Sequence, residues 1–559
     1  MNLRTFGTGL MIATLGILAG CRGSDSSSTT GAGTVSITVL GQYEKRTLST
    51  SGFGATTTPP ARYAYAQVVN SSTNRVEAEG TLGSDGTGTF SVPRGITFFV
   101  ALYATVEVPN SPADTGFYFY GGVKKAIPAS TYASTAAFNQ ITTWSTTSAD
   151  TVANSSGNLT LRALESTGEA GAFAIADQMT TFALGLRQLE PGLRPPELYA
   201  FWNPGTFSTY PSAAFATGGT TVLTQSTALG GRVVFQQEVR YAAPTAADGG
   251  ADAYNDSLLL ETFSRLLFAD DSLAYGNGTY GTIIRRDNDN VWVDRTVQSE
   301  STVAFVAGFA DFLAGAVRND SRLLDTYVDA TGVARVNTFD LTDHTYVPSA
   351  SKGEFTRGSI AVSLWGLWKN VLGGNQAGLN TLWAAVRSTR PYLDGTGEYE
   401  QATLGCYPSY LLGVQSRVSA PTWTAALTEL ALETVANPNT AYFAGTALWA
   451  TVAIPLSTTG SLQTYVSTAN LYYDRNQSQA YRFTHNGTGP RTITMTPTGG
   501  QDFYLELFGP GGQVTGSYGT PGSARTLSLT SLPAGVYVAR VRAGATTATG
   551  TFGYTISVN

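Results

Sequence analysis

Only two histidines, His344 and His485, and two cysteines, Cys21 and Cys406, occur among the 559 residues. That scarcity rules out a three-histidine metal site, every Cys-rich zinc motif and a disulfide-stapled scaffold. A Ser-His-Asp hydrolase would have to use one of the two histidines. Asp343 directly precedes His344, which is not a triad arrangement, and no Gly-x-Ser-x-Gly elbow occurs. His344 reads as a surface-loop histidine. His485, beside the turn signal Asn486-Gly487, reads as structural. Cys406, in Gly405-Cys406-Tyr407-Pro408, reads as a free thiol packed at a helix start. Carboxylates remain: Glu261, Asp311 and Glu354 are the candidates on or beside apolar segments. Two converging carboxylates would permit glycosidase chemistry, and nothing in the sequence pairs these three. No phosphate-binding or dinucleotide-binding glycine motif appears.

Three segments must position such residues. Residues 256–267 read DSLLLETFSRLL, an amphipathic helix; 303–317 read VAFVAGFADFLAGAV; 356–368 read TRGSIAVSLWGLW. In this order they resemble the secreted bacterial metalloproteases of the gluzincin type. There the first helix carries HExxH, the second a Glu-Gly-aromatic-Ala-x-Phe signature, and a later helix a run ending Leu-Trp-Asp-Leu. Arg232–Val239 fits the edge strand of that fold. The chemistry needs two histidines four apart on one helix face, a Glu ligand from the second helix, and a Glu base for the metal-bound water, whose pKa falls to about 7. The resemblance implies that Leu260 and Ser264 stand where the histidines belong, Glu261 where the base belongs, and Ala307 where the Glu ligand belongs. Gly366 stands for the Asp of the last run. Leu and Ala carry no lone pair and Ser is a poor zinc ligand, so the implied site is degenerate: no metal, no cofactor, and Glu261 a relic. Two bland readings stand beside it: a capped amphipathic helix over Asp256–Ala269, and an apolar helix in which Gly308 lets a neighbour approach.

The chain opens MNLRTFGTGLMIATLGILAGC. Arg4 and the apolar run from Leu10 to Leu18 form a signal peptide too short to span a membrane. Leu18-Ala19-Gly20-Cys21 resembles the bacterial lipobox, which implies cleavage before Cys21 and a lipid on its sulfur. Residues 22–34 are a Ser/Gly/Thr tether. These features lead us to expect a lipoprotein of the cell envelope, anchored by Cys21 at the outer membrane or cell surface. Charged residues make up 13% of the chain, about half the ~25% usual for soluble proteins. Net charge is −6 without a basic stripe, which disfavours nucleic acid as a partner.

Strand patterns with Gly turns fill residues 35–108, and a β-sandwich is expected over 35–125. The stretch GSDGTGTFSVPRGITFFVALYATV resembles transthyretin-like and carboxypeptidase-regulatory-like sandwiches. Residues 109–165 read as irregular. A mainly helical α+β stretch, the zincin-like domain, is expected over 150–455. Residues 467–559 are β again and resemble the bacterial pre-peptidase C-terminal domain, a jelly-roll-like sandwich, through PAGVYVARV at 533–541 and GYTISV at 553–558. Where that family has an Asp able to ligate calcium, this chain has Tyr504 in Phe503-Tyr504-Leu505-Glu506-Leu507. The expected fold is therefore multidomain: an N-terminal β-sandwich, a central α+β zincin-like domain and a C-terminal β-sandwich. The expected function is a pseudoenzyme that binds an envelope or extracellular polymer, a peptide or a partner protein. The alternatives are an active peptidase or glycosidase using carboxylates such as Glu261, and a structural envelope or adhesion protein.

Overall fold

The computed structural model describes residues 33–110, 117–125, 142–193, 195, 198–203, 221–225, 234–240, 252–269, 295–296, 298–299, 301–328, 334–388, 406–438, 449–451, 454–466, 478–509, 512–543, 545–546 and 550–559. The signal peptide, Cys21 and nearly all of the tether lie outside these residues. The chain is multidomain and rich in sheet. It divides into two compact units, Met1–Phe263 with Leu324–Thr338, and Ser264–Leu323 with Phe339–Asn559.

The first unit is built on a nine-stranded sheet. From one edge its strands run Thr221–Gln225, Val234–Arg240, Leu198–Asn203, Phe117–Lys125, Thr97–Pro109, Ala64–Asn70 and Val76–Thr81, and Ser145–Thr147 and Thr151–Val152 also pair with Thr97–Pro109. Leu198–Asn203 is parallel to both its neighbours; the other pairs are antiparallel. A three-stranded sheet places Thr34–Tyr43 between Gly157–Ala163, parallel, and Thr87–Pro93, antiparallel. The period of two is plain in Thr34–Tyr43, whose Val35, Ile37, Val39, Gly41 and Tyr43 are all buried. The stretch read as irregular thus contributes four strands, Phe117–Lys125, Ser145–Thr147, Thr151–Val152 and Gly157–Ala163. The large sheet draws strands from both sides of residue 125.

Helix α1, Glu169–Leu189, is buried round most of its circumference. Its Met179 reaches the strand Phe117–Lys125 at Gly121, where a Cβ would be crowded, 3.0 Å from Met179 Sδ. Asp177 ties the helix down. It accepts from Tyr43 Oη at 2.9 Å and from Arg62 Nε at 2.6 Å, while Arg62 also donates to Thr181. Burial, then the neighbouring Asp177 charge, pushes the Tyr43 hydroxyl well above its ordinary pKa, so it stays a donor.

Helix α2, Asp256–Ala269, begins in the first unit. The second unit holds α3 (Ser301–Arg318), α4 (Arg357–Gly366), α5 (Gln376–Ser388), α6 (Tyr407–Gln415) and α7 (Ala420–Leu432). The segment 356–368 does not stay α-helical to its end: from Leu367 to Val371 the chain forms a π-helical turn. Two five-stranded sheets follow. One takes the order Trp449–Thr451, Ser478–His485, Gly535–Ala543, Phe503–Gly509, Gly512–Ser517. The other takes Arg525–Leu529, Arg491–Pro497, Gly550–Val558, Leu456–Val466, Ala545–Thr546. Side chains of both sheets, Phe483 and Leu505 with Ile493 and Ile556, share one core, so the pair forms a sandwich.

Helices α3 and α4 meet at Gly308. A Cβ there would lie 2.7 Å from both Arg357 O and Ile360 Cβ, and a carbonyl in a helix cannot step aside cheaply. Gly308→Ala is therefore expected to destabilise the protein by about 1–3 kcal/mol, the usual cost of overpacking. Thermal and denaturant unfolding measure this; a variant as stable as the parent would show the helices to be less closely packed.

Candidate functional site

The four positions that the metallopeptidase resemblance marks out fall where the sequence places them. Leu260, Glu261 and Ser264 lie on α2 and Ala307 on α3. Asn255 caps α2, accepting from Leu258 N at 3.2 Å and from Ser257 Oγ at 2.9 Å. Lys45 grips Asp256 in the first turn at 2.7 Å. All four positions are shut off from solvent: Leu260 is 0% exposed, Glu261 2%, Ser264 1% and Ala307 1%. Leu260, Glu261 and Ser264 each have neighbours that engage them. Among the described residues, no three His, Cys, Asp or Glu side chains converge as a fully protein-ligated metal would require.

Asp311 is one turn further along α3 and fully buried. Its carboxylate is clasped by two guanidiniums. Arg357 donates at 2.7 and 2.8 Å, and Arg295 at 3.1 Å to each oxygen. Burial pushes the Asp311 carboxyl up; Arg295 and Arg357 more than reverse this and hold it at about 2. A carboxylate so held neither gives nor takes a proton near neutral pH, which removes Asp311 from the candidate acids and bases. Glu354, the third candidate, is likewise buried.

His344 does lie in a turn, with its side chain a third exposed, but it is held by carboxylates there. Its Nδ1 is 2.9 Å from Glu433 Oε1 and its Nε2 is 3.8 Å from Glu429 Oε1, both on or just after α7. Lys352 Nζ reaches Glu433 at 3.3 Å and Leu432 O at 2.9 Å. The Glu429 carboxylate occupies the space a side chain at Gly366 would need. In the C-terminal sandwich His485 is buried and its Nδ1 accepts from Arg491 Nε at 3.0 Å. Tyr504 packs edge-on against Tyr518, and the Arg542 guanidinium lies 5.0 Å from the Tyr504 ring centre. Cys406, in no disulfide, is buried at the N-cap of α6.

A second set of polar side chains escapes the sequence patterns. Cross-strand pairing puts Tyr65, Gln67, Glu79, Thr81 and Tyr103 on one face of the nine-stranded sheet. Tyr65 donates to Glu79, Gln67 Nε2 to Glu79 at 3.1 Å, Tyr103 to Gln67 Oε1 at 3.1 Å, and Thr81 to Glu107. The Tyr65 and Tyr103 rings are half-exposed and 5.9 Å apart. Burial, together with the Glu79 charge, raises the Glu107 carboxyl against the pull of its Thr81 hydrogen bond. Alternating polar residues, Tyr65 and Gln67 with Glu77 and Glu79, were the signal available for this face.

The chain matches no protein-family profile and no curated protein. Among solved structures, the pre-peptidase C-terminal domain of a Bacillus anthracis collagenase shares 13% identity over 20% of this chain and 92% of that one, at a TM-score of 0.16. The periplasmic lysozyme inhibitor PliG of Aeromonas hydrophila shares 15% over 20% and 92%, at 0.14. The Yersinia pseudotuberculosis-derived mitogen shares 11% over 19% and 86%, at 0.13. No assignment rests on likenesses this slight.

Asp311→Ala would remove the carboxylate shared by two buried guanidiniums and is expected to cost about 3–5 kcal/mol, the range for breaking a buried ion pair. Because the folded pKa is depressed from about 3.9 towards 2, the stabilisation is fully present above about pH 4 and lost as pH falls towards 2. Urea unfolding across that pH range checks it; an Asp311→Ala variant with parental stability at neutral pH would contradict it.

Proposed function

We propose that this chain is an envelope-anchored binding protein whose middle region is a metallopeptidase-like scaffold without catalysis. The observation that carries the reading is the state of the four marked positions. Leu260 and Ala307 offer no donor, Ser264 is a poor one, and all are closed to solvent together with Glu261. A lone buried Glu without a metal has no activated water to deprotonate. The reading includes the lipid anchor on Cys21, an N-terminal β-sandwich, and a pre-peptidase C-terminal-like sandwich at the end of the chain. Its partner is an envelope or extracellular polymer, and the half-exposed Tyr65 and Tyr103 with their carboxylate and amide neighbours offer rings for stacking and fixed polar groups for orientation. An active carboxylate hydrolase is disfavoured by the double clasp on Asp311.

The test has two arms. The chain with Cys21→Ser is assayed for hydrolysis of casein, peptidoglycan and neutral polysaccharide, with and without chelator. It is also co-sedimented with the insoluble polymers. No hydrolysis is expected, with Glu261→Gln indistinguishable from the parent. Co-sedimentation with one polymer is expected, weakened about two- to tenfold by Tyr65→Ala or Tyr103→Ala. Chelator-sensitive hydrolysis that disappears in Glu261→Gln would overturn the proposal, as would failure to bind any polymer.

A further inference from the structure

We propose that His344 and Glu429 form an open, two-ligand site for a divalent metal ion of the zinc class, with water completing the coordination. The inference is independent of the function proposed above and concerns different residues from the degenerate positions on α2 and α3.

Glu429 is nine-tenths buried, and its Oε1 has no hydrogen-bond partner. Oε2 accepts from Asn370 Nδ2 at 3.3 Å. A buried carboxylate oxygen left without a donor is costly, so a cation at Oε1 would remove a standing penalty. The atom facing it is His344 Nε2, at 3.8 Å, too far for a hydrogen bond. Zinc–nitrogen and zinc–carboxylate bonds are about 2.0–2.2 Å long, so at a tetrahedral angle the two donor atoms stand roughly 3.4 Å apart. The observed 3.8 Å is within a few tenths of an ångström of that, and one ion set to the side of the line between these two atoms reaches both.

The imidazole is prepared for this role. Glu433, 1% exposed, lies 2.9 Å from Nδ1 and accepts from it in the tautomer that carries its proton on Nδ1 and its lone pair on Nε2. A carboxylate behind the far nitrogen is what orients a ligating histidine and raises its basicity. Lys352 Nζ lies 3.3 Å from Glu433, so that carboxylate has a cation of its own, whereas Glu429 has an amide. The His344 side chain is 33% exposed, which leaves an approach for the ion and its waters. Gly366 contributes by lacking a side chain, because a Cβ there would collide with the Glu429 carboxylate. A protonated His344 forming a simple ion pair with Glu429 is the competing arrangement, and it excludes metal.

The test is zinc titration by calorimetry of the metal-stripped full chain, with cobalt absorption as a report of nitrogen ligation. One ion per chain is expected at sub-millimolar zinc. His344→Ala and Glu429→Gln should each weaken it at least about tenfold, and Glu433→Gln about 10–100-fold through the orientation of His344. Asp343→Asn, next in sequence to His344, should leave it unchanged. No uptake at sub-millimolar zinc would overturn the proposal, as would uptake that survives both His344→Ala and Glu429→Gln. Should Glu429→Gln fail to fold, the half-exposed His344→Ala decides alone.

Discussion

Two guanidiniums close on the Asp311 carboxylate, and much of the helical part of the second unit is arranged so that they can. Arg295 arrives from an irregular segment and Arg357 from the first residue of α4, while Asp311 comes from α3. Three backbones must then approach more closely than side chains allow. Gly308 admits the carbonyl of Arg357. Gly358 admits the carbonyl of Arg295, which a Cβ would meet at 2.5 Å and to which Gly358 N donates at 3.0 Å. The clasp and the two glycines are one device: without the glycines the chains cannot come close enough, and without the clasp the Asp311 charge would be buried without its two guanidiniums.

This constraint bears on function. An active site needs polar groups that change state or face a substrate. Here the most polar buried group on α3 is locked as an ion between its partners, and Ala307, one turn earlier, is core. The α3 stretch that resembles peptidase machinery in sequence thus holds helices together through Asp311 and Gly308. The polar groups with freedom to act lie elsewhere: on the tyrosine-bearing sheet face, and where α7 meets His344.

Periodicity made the helices legible. Asp256–Ala269 has the bounds the apolar pattern gives it, and Ser301–Arg318 extends the expected Thr302–Val317 by one residue at each end. The alternating strands Thr34–Tyr43, Ala64–Asn70, Val76–Thr81, Thr87–Pro93 and Thr97–Pro109 were equally plain, whereas the hairpin Lys45–Ser49 with Gly52–Thr57 escapes that pattern. Of the four strands within 109–165, Ser145–Thr147 and Thr151–Val152 are too short for a period to register. The π-helical turn leaves no trace in an apolar run that both helix types satisfy. The Asp311 clasp joins residues 16 and 46 positions apart, and the His344 pairing with Glu433 spans 89; no local pattern encodes such meetings. Both glycines were visible, but only the fold shows which carbonyls they admit.

The central claim is that the positions corresponding to metal ligands are interior. Thiol accessibility tests this most directly. Ala307→Cys and Ser264→Cys, each in a chain with Cys21→Ser, would be exposed to a small thiol reagent under native conditions, with buried Cys406 as the internal reference. The account predicts that each new thiol reacts no faster than Cys406 and labels fully only after unfolding. Rapid, complete labelling of either variant in the folded protein would mean that a solvent-filled cleft reaches these positions, and would contradict it.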